Sequence, residues 1–274
     1  MTPEWMTVRV HPGTQREAVL AALFEQGVQA VQEVDGLFAT SIPNVAGADA
    51  LTRAVRRASP DATIDIARAP DVDWTEQWKA SIRAHDLGAL VVCPPWLADG
   101  QDPKRRIVIE PAMAFGTGEH QTTRGVIRLL QTVVRRGDRV ADLGAGSAVL
   151  AIAAAKLGAS RVIAIEIDHD AIENAEENVA RNGVADVVTV VEGDAAMLLP
   201  LVAPVRVITA NIISSVLLQM LPAIAAALSD GGQAILSGIL VAERDEMMAA
   251  LAVGGWIVER EDAEDAWWSA VITA

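Results

Sequence analysis

Hydrophobic positions in the first 68 residues follow two alternating spacings. Apolar and polar residues alternate in "MTVRV" (6–10), which predicts a strand. In "TQREAVLAALFEQG" the apolar residues recur at helical spacing, which predicts a helix that begins at Thr14 and ends at Gly27. "VQAVQEV" and "LFATSI" then flank Asp35–Gly36, a pair typical of a hairpin turn. A second helix, "GADALTRAVRRAS", and a last strand, "ATIDIAR", complete an order that predicts a ferredoxin-like α+β domain over residues 1–69.

From residue 107 onward, strands alternate regularly with helices. Segments such as "RVIAIEI" and "VRVITAN" are apolar throughout, as expected for strands covered on both faces. Helical segments such as "HDAIENAEENVARNG" and "ISSVLLQMLPAIAAAL" separate them. This pattern predicts a doubly wound, Rossmann-like α/β domain over residues 107–274. Its tail, "GWIVEREDAEDAWWSAVITA", predicts two strands joined by an acidic turn, an antiparallel hairpin at the edge of the sheet.

The segment between these domains, residues 70–106, is predicted to be a linker or hinge. "DVDWTEQWKASIR" places Trp74 and Trp78 four residues apart, and therefore on one face of a short helix. "LVVCPPW" adds Trp96, and the polar loop "LADGQDPKRR" follows. Because large aromatic side chains mostly serve burial, we expect these tryptophans to pack the two domains together.

Composition narrows the range of functions. The chain of 274 residues has a formal net charge of −14, which disfavours direct nucleic-acid binding because no excess cations are present to displace counterions. The longest apolar run, "VLLQMLPAIAAAL" (216–228), is too short to predict a membrane span. A single cysteine, Cys93, excludes an internal disulfide and favours a reducing, cytoplasmic location. His120 has no cysteine or second histidine at ligand spacing, so no metal site is predicted.

The glycine-rich stretch "ADLGAGSA" (141–148) is the first candidate ligand site. It lies where a strand passes into a helix, and ligands of doubly wound sheets bind at the carboxyl ends of the strands. Gly144 and Gly146 have no side chain to block the approach of a ligand to the backbone. No G-K-[ST] sequence follows these glycines, which excludes a phosphate-binding loop of the nucleotide triphosphatases.

Two acidic residues beside this turn help to distinguish between the two ligands that remain, NAD and S-adenosyl-L-methionine. Glu166 follows Gly144 by 22 residues, close to the spacing of an acid that binds a ribose, which NAD and S-adenosyl-L-methionine both contain. Asp142, two residues before Gly144, would repel a pyrophosphate but would attract an ammonium group. S-adenosyl-L-methionine carries an ammonium group and no phosphate. The residues therefore favour this cofactor, with an NAD-dependent oxidoreductase as the alternative.

A second segment, "EPAMAFGTGEHQTT" (110–123), makes a family resemblance visible. Together with the glycine-rich turn, "ITANIISSVLLQMLPAIAAALSDGGQAILSGIL" (208–240), "WTEQWK" and "CPPW", it closely resembles the PrmA-type ribosomal-protein methyltransferases. That family methylates large-subunit ribosomal protein eleven. The resemblance implies an S-adenosyl-L-methionine-dependent protein N-methyltransferase that modifies lysine and/or N-terminal amines of that ribosomal protein. It also implies that residues 1–69 recognise the substrate.

The resemblance further implies roles for individual residues. Cofactor contacts fall on four positions of this chain: Thr123, Gly144, Glu166 and Asn211. A flap over the cofactor falls on three more: Phe115, Gly116 and Thr117. Asn211 would also orient the methyl acceptor, which makes it the predicted catalytic residue. Asp194, in "VEGDAAM", is predicted by position alone to contact the adenine amino group.

The sequence departs from the family pattern at two positions of the predicted cofactor site. The turn reads "GAGSA" where the family usually has G-C-G-S-G, so Ala148 stands at the last glycine. We expect that position mainly to allow close packing of helix on strand. Glu166 stands where aspartate is commoner. These departures keep open a homologue with a different protein substrate or without activity.

Overall fold

The computed structural model describes residues 5–28, 30–34, 36–43, 47–68, 82–111 and 116–274. The chain divides into two compact units, Met1–Ala80 and Ser81–Ala274. Within the described part of the chain, no helix is long and apolar enough to cross a membrane.

The smaller unit is a four-stranded antiparallel sheet with two helices. Its elements are β1 (Met6–His11), α1 (Arg16–Glu25), β2 (Gln32–Val34), β3 (Leu37–Ile42), α2 (Ala48–Ala58) and β4 (Thr63–Arg68). The strand order β2-β3-β1-β4 confirms the predicted ferredoxin-like topology. Its core is formed by apolar side chains of the helices and of one sheet face, among them Val8, Val10, Leu23, Phe38 and Leu51.

The start of α1 differs from the sequence prediction. Thr14 does not cap the helix, which begins at Arg16 without a side-chain cap. Instead, the Thr14 backbone N–H and hydroxyl both donate to the carboxylate of Asp61, at 2.9 and 3.3 Å. A partner 47 residues away has therefore replaced the local capping interaction.

The larger unit begins with a small sheet that falls within the predicted linker. Its strands are β5 (His85–Asp86), β6 (Val91–Cys93) and β7 (Arg106–Val108), in the order β5-β6-β7. Trp96 lies in a 3-10 helix, Pro95–Gly100, between β6 and β7. Trp74 and Trp78 lie outside the described residues. The described part of the linker thus belongs to the compact unit Ser81–Ala274.

Seven strands form the main sheet of the larger unit. They are β8 (Arg139–Leu143), β9 (Arg161–Glu166), β10 (Val188–Glu192), β11 (Val205–Asn211), β12 (Leu228–Leu240), β13 (Ile257–Glu264) and β14 (Trp267–Thr273). Their order is β10-β9-β8-β11-β12-β14-β13, with the first five strands parallel. The tail forms the expected antiparallel hairpin, but β14 lies between β12 and β13, so only β13 is at the edge.

In the described part of the larger unit, six helices cover both faces of this sheet. They are α3 (Gln121–Val133), α4 (Val149–Lys156), α5 (His169–Arg181), α6 (Ala195–Val202), α7 (Ser214–Ala227) and α8 (Arg244–Val253). One hydrophobic cluster takes side chains from α3, α4 and α5, and a second takes them from α6, α7 and α8. This two-sided packing confirms the doubly wound fold. The strand order reverses between β8 and β11, which opens a crevice at their carboxyl ends.

Candidate active site

The glycine-rich turn between β8 and α4 is fixed to the neighbouring strand. The backbone N–H groups of Gly144 and Ala145 both donate to the carbonyl oxygen of Ile165 in β9, at 2.9 and 3.0 Å. Gly144 has φ of +71°, and a Cβ there would lie 2.6 Å from Cγ2 of Ile212. Glycine is therefore required at this position by both its backbone conformation and the space available.

Ala148 has a conformational role that differs from the packing role expected from the sequence. It precedes α4 with φ of +63° and ψ of 18°, a left-handed conformation that glycine adopts without strain. Its side chain is fully buried. The departure from the family's glycine is thus a matter of backbone conformation as well as of close packing.

Glu166, at the carboxyl end of β9, holds the turn from the other side. One carboxylate oxygen accepts a hydrogen bond from the Gly146 N–H at 2.7 Å. The other accepts from the N–H groups of Ile167 and Asp168, at 2.8 and 2.9 Å. Three backbone donors therefore converge on one carboxylate at the carboxyl end of β9, the neighbour of β8. A ribose hydroxyl could replace any of them, since it also donates hydrogen bonds.

Asp142, two residues before Gly144, is completely buried at the end of β8. Its carboxylate accepts hydrogen bonds from the Thr209 hydroxyl at 2.6 Å and from the Ala151 N–H at 3.1 Å. Burial raises its pKa to about 7, and the charge of Glu166 acts in the same direction. Each oxygen has a further acceptor site, but the side chain is completely buried, so the ammonium contact predicted for Asp142 would require the atoms that cover it to move.

Thr123 lies in the first turn of α3 and has no hydrogen-bond partner for its hydroxyl among the described residues. Its side chain is fully buried. His120 caps the helix: its Nδ1 accepts from the Thr122 N–H at 3.4 Å and lies 2.7 Å from the Thr122 hydroxyl. Burial lowers the pKa of His120. An unpartnered buried hydroxyl is uncommon and suits a ligand that completes its hydrogen bonding.

Asn211 ends β11 and pairs in register with Ser237 of β12. The Ser237 hydroxyl donates to the carbonyl of Thr122 at 3.5 Å, which brings the start of α3 to the same edge of the sheet. Within the described part of the chain, the carboxamide of Asn211 makes no side-chain hydrogen bond. Its amide groups are therefore available to a ligand.

Asp194 follows β10, one strand beyond Glu166, and is exposed. Its carboxylate accepts from the Ala196 N–H at 2.8 Å and so caps α6. The predicted adenine contact stays a prediction, and Asp194 has a capping role without it.

The described part of the predicted flap is attached to the glycine-rich turn. The carbonyl oxygen of Gly116 accepts a hydrogen bond from the Ser147 hydroxyl at 2.7 Å. Thr117 follows, and its hydroxyl lies 3.5 Å from the Glu119 N–H. Phe115 lies outside the described residues. In the described part of the chain, no three metal-ligating side chains lie close enough together to hold a metal ion.

The sequence of residues 7–274 matches the family model of PrmA, ribosomal protein L11 methyltransferase. The chain belongs to this family. The resemblance predicted from its motifs is thereby confirmed.

Two curated relatives and one crystal structure show how far the likeness to L11 methyltransferases extends. The ribosomal protein L11 methyltransferase of Symbiobacterium thermophilum is 39% identical over 220 residues, which are 76% of this chain and 69% of that protein. That of Exiguobacterium sp. is 35% identical over 206 residues, 74% of this chain and 65% of that protein. The match thus spans about two thirds of these relatives. The crystal structure of ribosomal protein L11 methylase from Lactobacillus delbrueckii subsp. bulgaricus has a TM-score of 0.62 at 32% identity, and covers 70% of this chain and 98% of that one.

The larger unit of this L11 methyltransferase family member therefore has the Rossmann-like fold of class I methyltransferases, as predicted. Three side chains of the site were not predicted: Ser147, Asn178 and Thr209. All three are buried polar groups that bond to neighbouring elements. A signal for Asn178 was present, because the helical spacing of Ala171, Ala175 and Val179 places it on the buried face of α5.

Proposed function

We propose that this chain is an S-adenosyl-L-methionine-dependent N-methyltransferase that modifies lysine and/or N-terminal amines of ribosomal protein L11. The observation that carries the proposal is the family match over residues 7–274, which includes both units and every residue of the candidate site. The carboxylates of the site support it, because Glu166, together with Asp142 in its ionised form, disfavours a phosphorylated coenzyme in the crevice.

Seven residues, Asn211 among them, are proposed to hold the cofactor, and the flap of Phe115, Gly116 and Thr117 is proposed to cover it. The unpartnered hydroxyl of Thr123 fits a polar group of the ligand, and the carboxylate of Glu166 fits hydroxyl donors of a ribose. Gly144 and Gly146 leave the backbone open to the ligand. The remaining proposed contacts are those of Asp142, with the ammonium group, and Asp194, with the adenine amino group.

The chemistry needs positioning and desolvation from the protein. When bound, the cofactor supplies a methyl group that is already activated by its sulfonium charge. Asn211 would accept a hydrogen bond from the attacking amine through its carboxamide oxygen and so orient it. It does not act as a general base, since an amide is not basic. A free lysine amine has a pKa of about 10.4, so it must lose its proton before attack.

Apolar side chains are exposed on the segment after Asn211 and at the end of the neighbouring strand β12. Ile213 and Val216 follow β11 with exposed side chains, and Leu240 and Val241 are exposed at the end of β12. The carboxylate of Glu243 joins the two segments: it accepts from the Ser214 hydroxyl at 3.0 Å and from the Leu240 N–H at 2.9 Å. Burial of an approaching amine against these apolar side chains would lower its pKa, whereas the carboxylate of Glu243 would act in the opposite direction.

The proposal assigns substrate recognition to residues 1–69 and a linking role to residues 70–106, with the methyltransferase domain at 107–274. A net charge of −14 is suited to a basic ribosomal protein as partner. A cytoplasmic location goes with this function, and the single, buried Cys93 favours it.

The decisive experiment is mass spectrometry of purified L11 after incubation with this protein and S-adenosyl-L-methionine. We expect mass increases in steps of one methyl group, located on lysine or N-terminal amines. Calorimetry with S-adenosyl-L-methionine and with NAD provides the control. Binding of NAD alone would support an oxidoreductase, and cofactor binding without methylation of L11 would support a different substrate or an inactive homologue.

A further inference from the structure

We propose that Ser147 and Asn178 are positioning residues that hold the backbone at Glu110 and Gly116 against the glycine-rich turn, and thereby set the affinity for the cofactor. This inference rests on the proposed function. Neither side chain is among the predicted cofactor contacts, and both act through backbone groups of other segments.

Asn178 links the segment after β7 to the turn before α4. Its side-chain oxygen accepts a hydrogen bond from the Glu110 N–H at 2.9 Å, and its side-chain nitrogen donates to the carbonyl of Ser147 at 3.2 Å. The residue is completely buried. One amide thus joins the backbones of Glu110 and Ser147, which lie 37 residues apart in the sequence.

Ser147 makes a second connection, from the glycine-rich turn to Gly116. Its hydroxyl donates to the carbonyl of Gly116 at 2.7 Å. Gly116 has φ of +100°, and a Cβ there would lie 2.8 Å from the Ser147 oxygen, so only glycine allows this close approach. Ser147 follows Gly146 directly, and its own position therefore depends on the turn that is proposed to receive the cofactor.

Two further residues at the end of α5, Arg181 and Asn182, contact Glu110 and Val108. Asn182 accepts from the Val108 N–H at 2.8 Å and donates to the Val108 carbonyl at 2.7 Å. Arg181 lies 3.5 Å from the carboxylate of Glu110. The path of the chain into Glu110 is thus fixed by α5, whose first residues follow Glu166. One helix thus connects Glu166, whose carboxylate is proposed to bind the ribose, with the glycine-rich turn and the backbone of residues 108–110.

The hydrogen bonds of Ser147 and Asn178 are buried and are made to backbone groups. We infer that these bonds fix the position of the backbone as well as contributing to stability. Apolar side chains at 147 and 178 would fill the same space without the desolvation that polar groups require. Hydrogen bonds to backbone fix distance and direction, which hydrophobic contacts do not. The positions they fix include Gly116 of the predicted flap and the turn with Gly144 and Gly146, two of the proposed cofactor contacts.

The test compares Ser147→Ala with Ser160→Ala. Ser160 also donates to a backbone carbonyl at 2.7 Å, that of Gly137, but it is exposed and lies at the opposite, amino-terminal edge of the sheet. We expect Ser147→Ala to raise the dissociation constant and KM for S-adenosyl-L-methionine about three- to tenfold, the effect of one lost hydrogen bond. Its kcat at saturating cofactor should stay within about twofold of wild type. Ser160→Ala should leave cofactor affinity unchanged.

Asn178→Ala provides a second arm. It should weaken cofactor binding in the same direction, and the double variant with Ser147→Ala should show less than the product of the two effects, because both act on one segment. Wild-type cofactor affinity in Ser147→Ala, whatever its loss of stability, would overturn the inference even if Asn178→Ala does not fold. Methylation of L11 by the wild-type protein in the same experiment would show that the proposed function still holds. Failure of wild type to bind S-adenosyl-L-methionine would instead remove the proposed function, and this inference with it.

Discussion

Thr209 donates its hydroxyl to the carboxylate of Asp142 at 2.6 Å, between two residues that pair in register across β11 and β8. The Ala151 N–H of α4 donates to the other oxygen. A single buried carboxylate therefore joins two central strands and the helix after the glycine-rich turn. Burial raises its pKa from an ordinary 3.8 to about 7, because the charged form is desolvated.

The stability of the protein should therefore depend on pH through Asp142. Between pH 3.8 and about 7, the unfolded chain loses the Asp142 proton while the folded protein keeps it. The free energy of unfolding then falls as pH rises through this window, by up to ~1.4 kcal/mol per pH unit, and levels off above it. Urea unfolding of wild type and Asp142→Asn from pH 4 to 8 measures the difference. A difference between the two proteins that does not change with pH would contradict the raised pKa.

Thr123→Val should separate cofactor binding from stability. The Thr123 hydroxyl is buried without a partner among the described residues, so its removal should raise the free energy of unfolding by about 1 kcal/mol. The same change should weaken binding of S-adenosyl-L-methionine by about 1 kcal/mol if the hydroxyl contacts the cofactor. Thr122→Val is the control: its hydroxyl lies 2.7 Å from His120 Nδ1, so this variant should lose stability. Calorimetry and urea unfolding give both values, and unchanged affinity in Thr123→Val would exclude the contact.

Glu166→Gln should weaken cofactor binding by about 1–3 kcal/mol, because a charged acceptor of ribose hydroxyls becomes neutral. Calorimetric titration with S-adenosyl-L-methionine is the measurement. Glu177→Gln, on the exposed side of α5, should bind with wild-type affinity. Equal affinities of all three proteins would remove Glu166 from the cofactor site.

Because Ala148 has a left-handed backbone conformation, we expect its replacement by glycine to change the stability of the protein little. Ala148→Gly relieves about 1–2 kcal/mol of left-handed strain, which roughly offsets the loss of a buried methyl group, ~0.8 kcal/mol, and the greater freedom of the unfolded chain, about 0.4–1 kcal/mol. Its stability should stay within about 0.5 kcal/mol of wild type. Ala151→Gly, equally buried but helical, should lose about 1.5–2 kcal/mol in the same urea-unfolding experiment. Similar losses in both variants would contradict the left-handed conformation.

An ion-pair network fixes the β13–β14 hairpin to α3. Glu264 lies 2.5 Å from Arg124 and 2.8 Å from Arg128, and Asp262 lies 2.5 Å from Arg128. The hydrogen bond from Arg124, followed by that from Arg128, lowers the pKa of Glu264 below its ordinary 4.5. A lowered acid pKa stabilises the folded protein above pH 4.5, and this contribution is lost as pH falls through the folded value.

Glu264→Gln should therefore reduce stability at pH 7 by about 1 kcal/mol, and the difference from wild type should shrink at an acid pH below 4.5, as the folded protein takes up the Glu264 proton. Thermal or urea unfolding at the two pH values gives the comparison. Glu176→Gln, exposed on α5, controls for the loss of one negative charge. A loss that persists at low pH would show that packing, and not charge, is responsible.

Much of the fold was accessible from local sequence. The apolar runs of β8, β9 and β11 and the helical spacing of α5 predicted a doubly wound sheet, because strand and helix periodicity depends on neighbours in the sequence. The tail hairpin was predicted for the same reason. The place of β14 between β12 and β13 was not, since the partner of a strand is chosen by long-range packing.

The sequence by itself determined the two-part organisation, the glycine-rich turn and the family. Only the tertiary structure decided the state of the site's polar groups: Asp142 bonded to Thr209, Thr123 without a partner, and Ser147 bound to Gly116. The reason is that periodicity and turn chemistry act over a few residues, whereas the partner of a buried polar group is set by segments tens of residues away. Thr209 lies 67 residues from Asp142, and Gly116 lies 31 from Ser147.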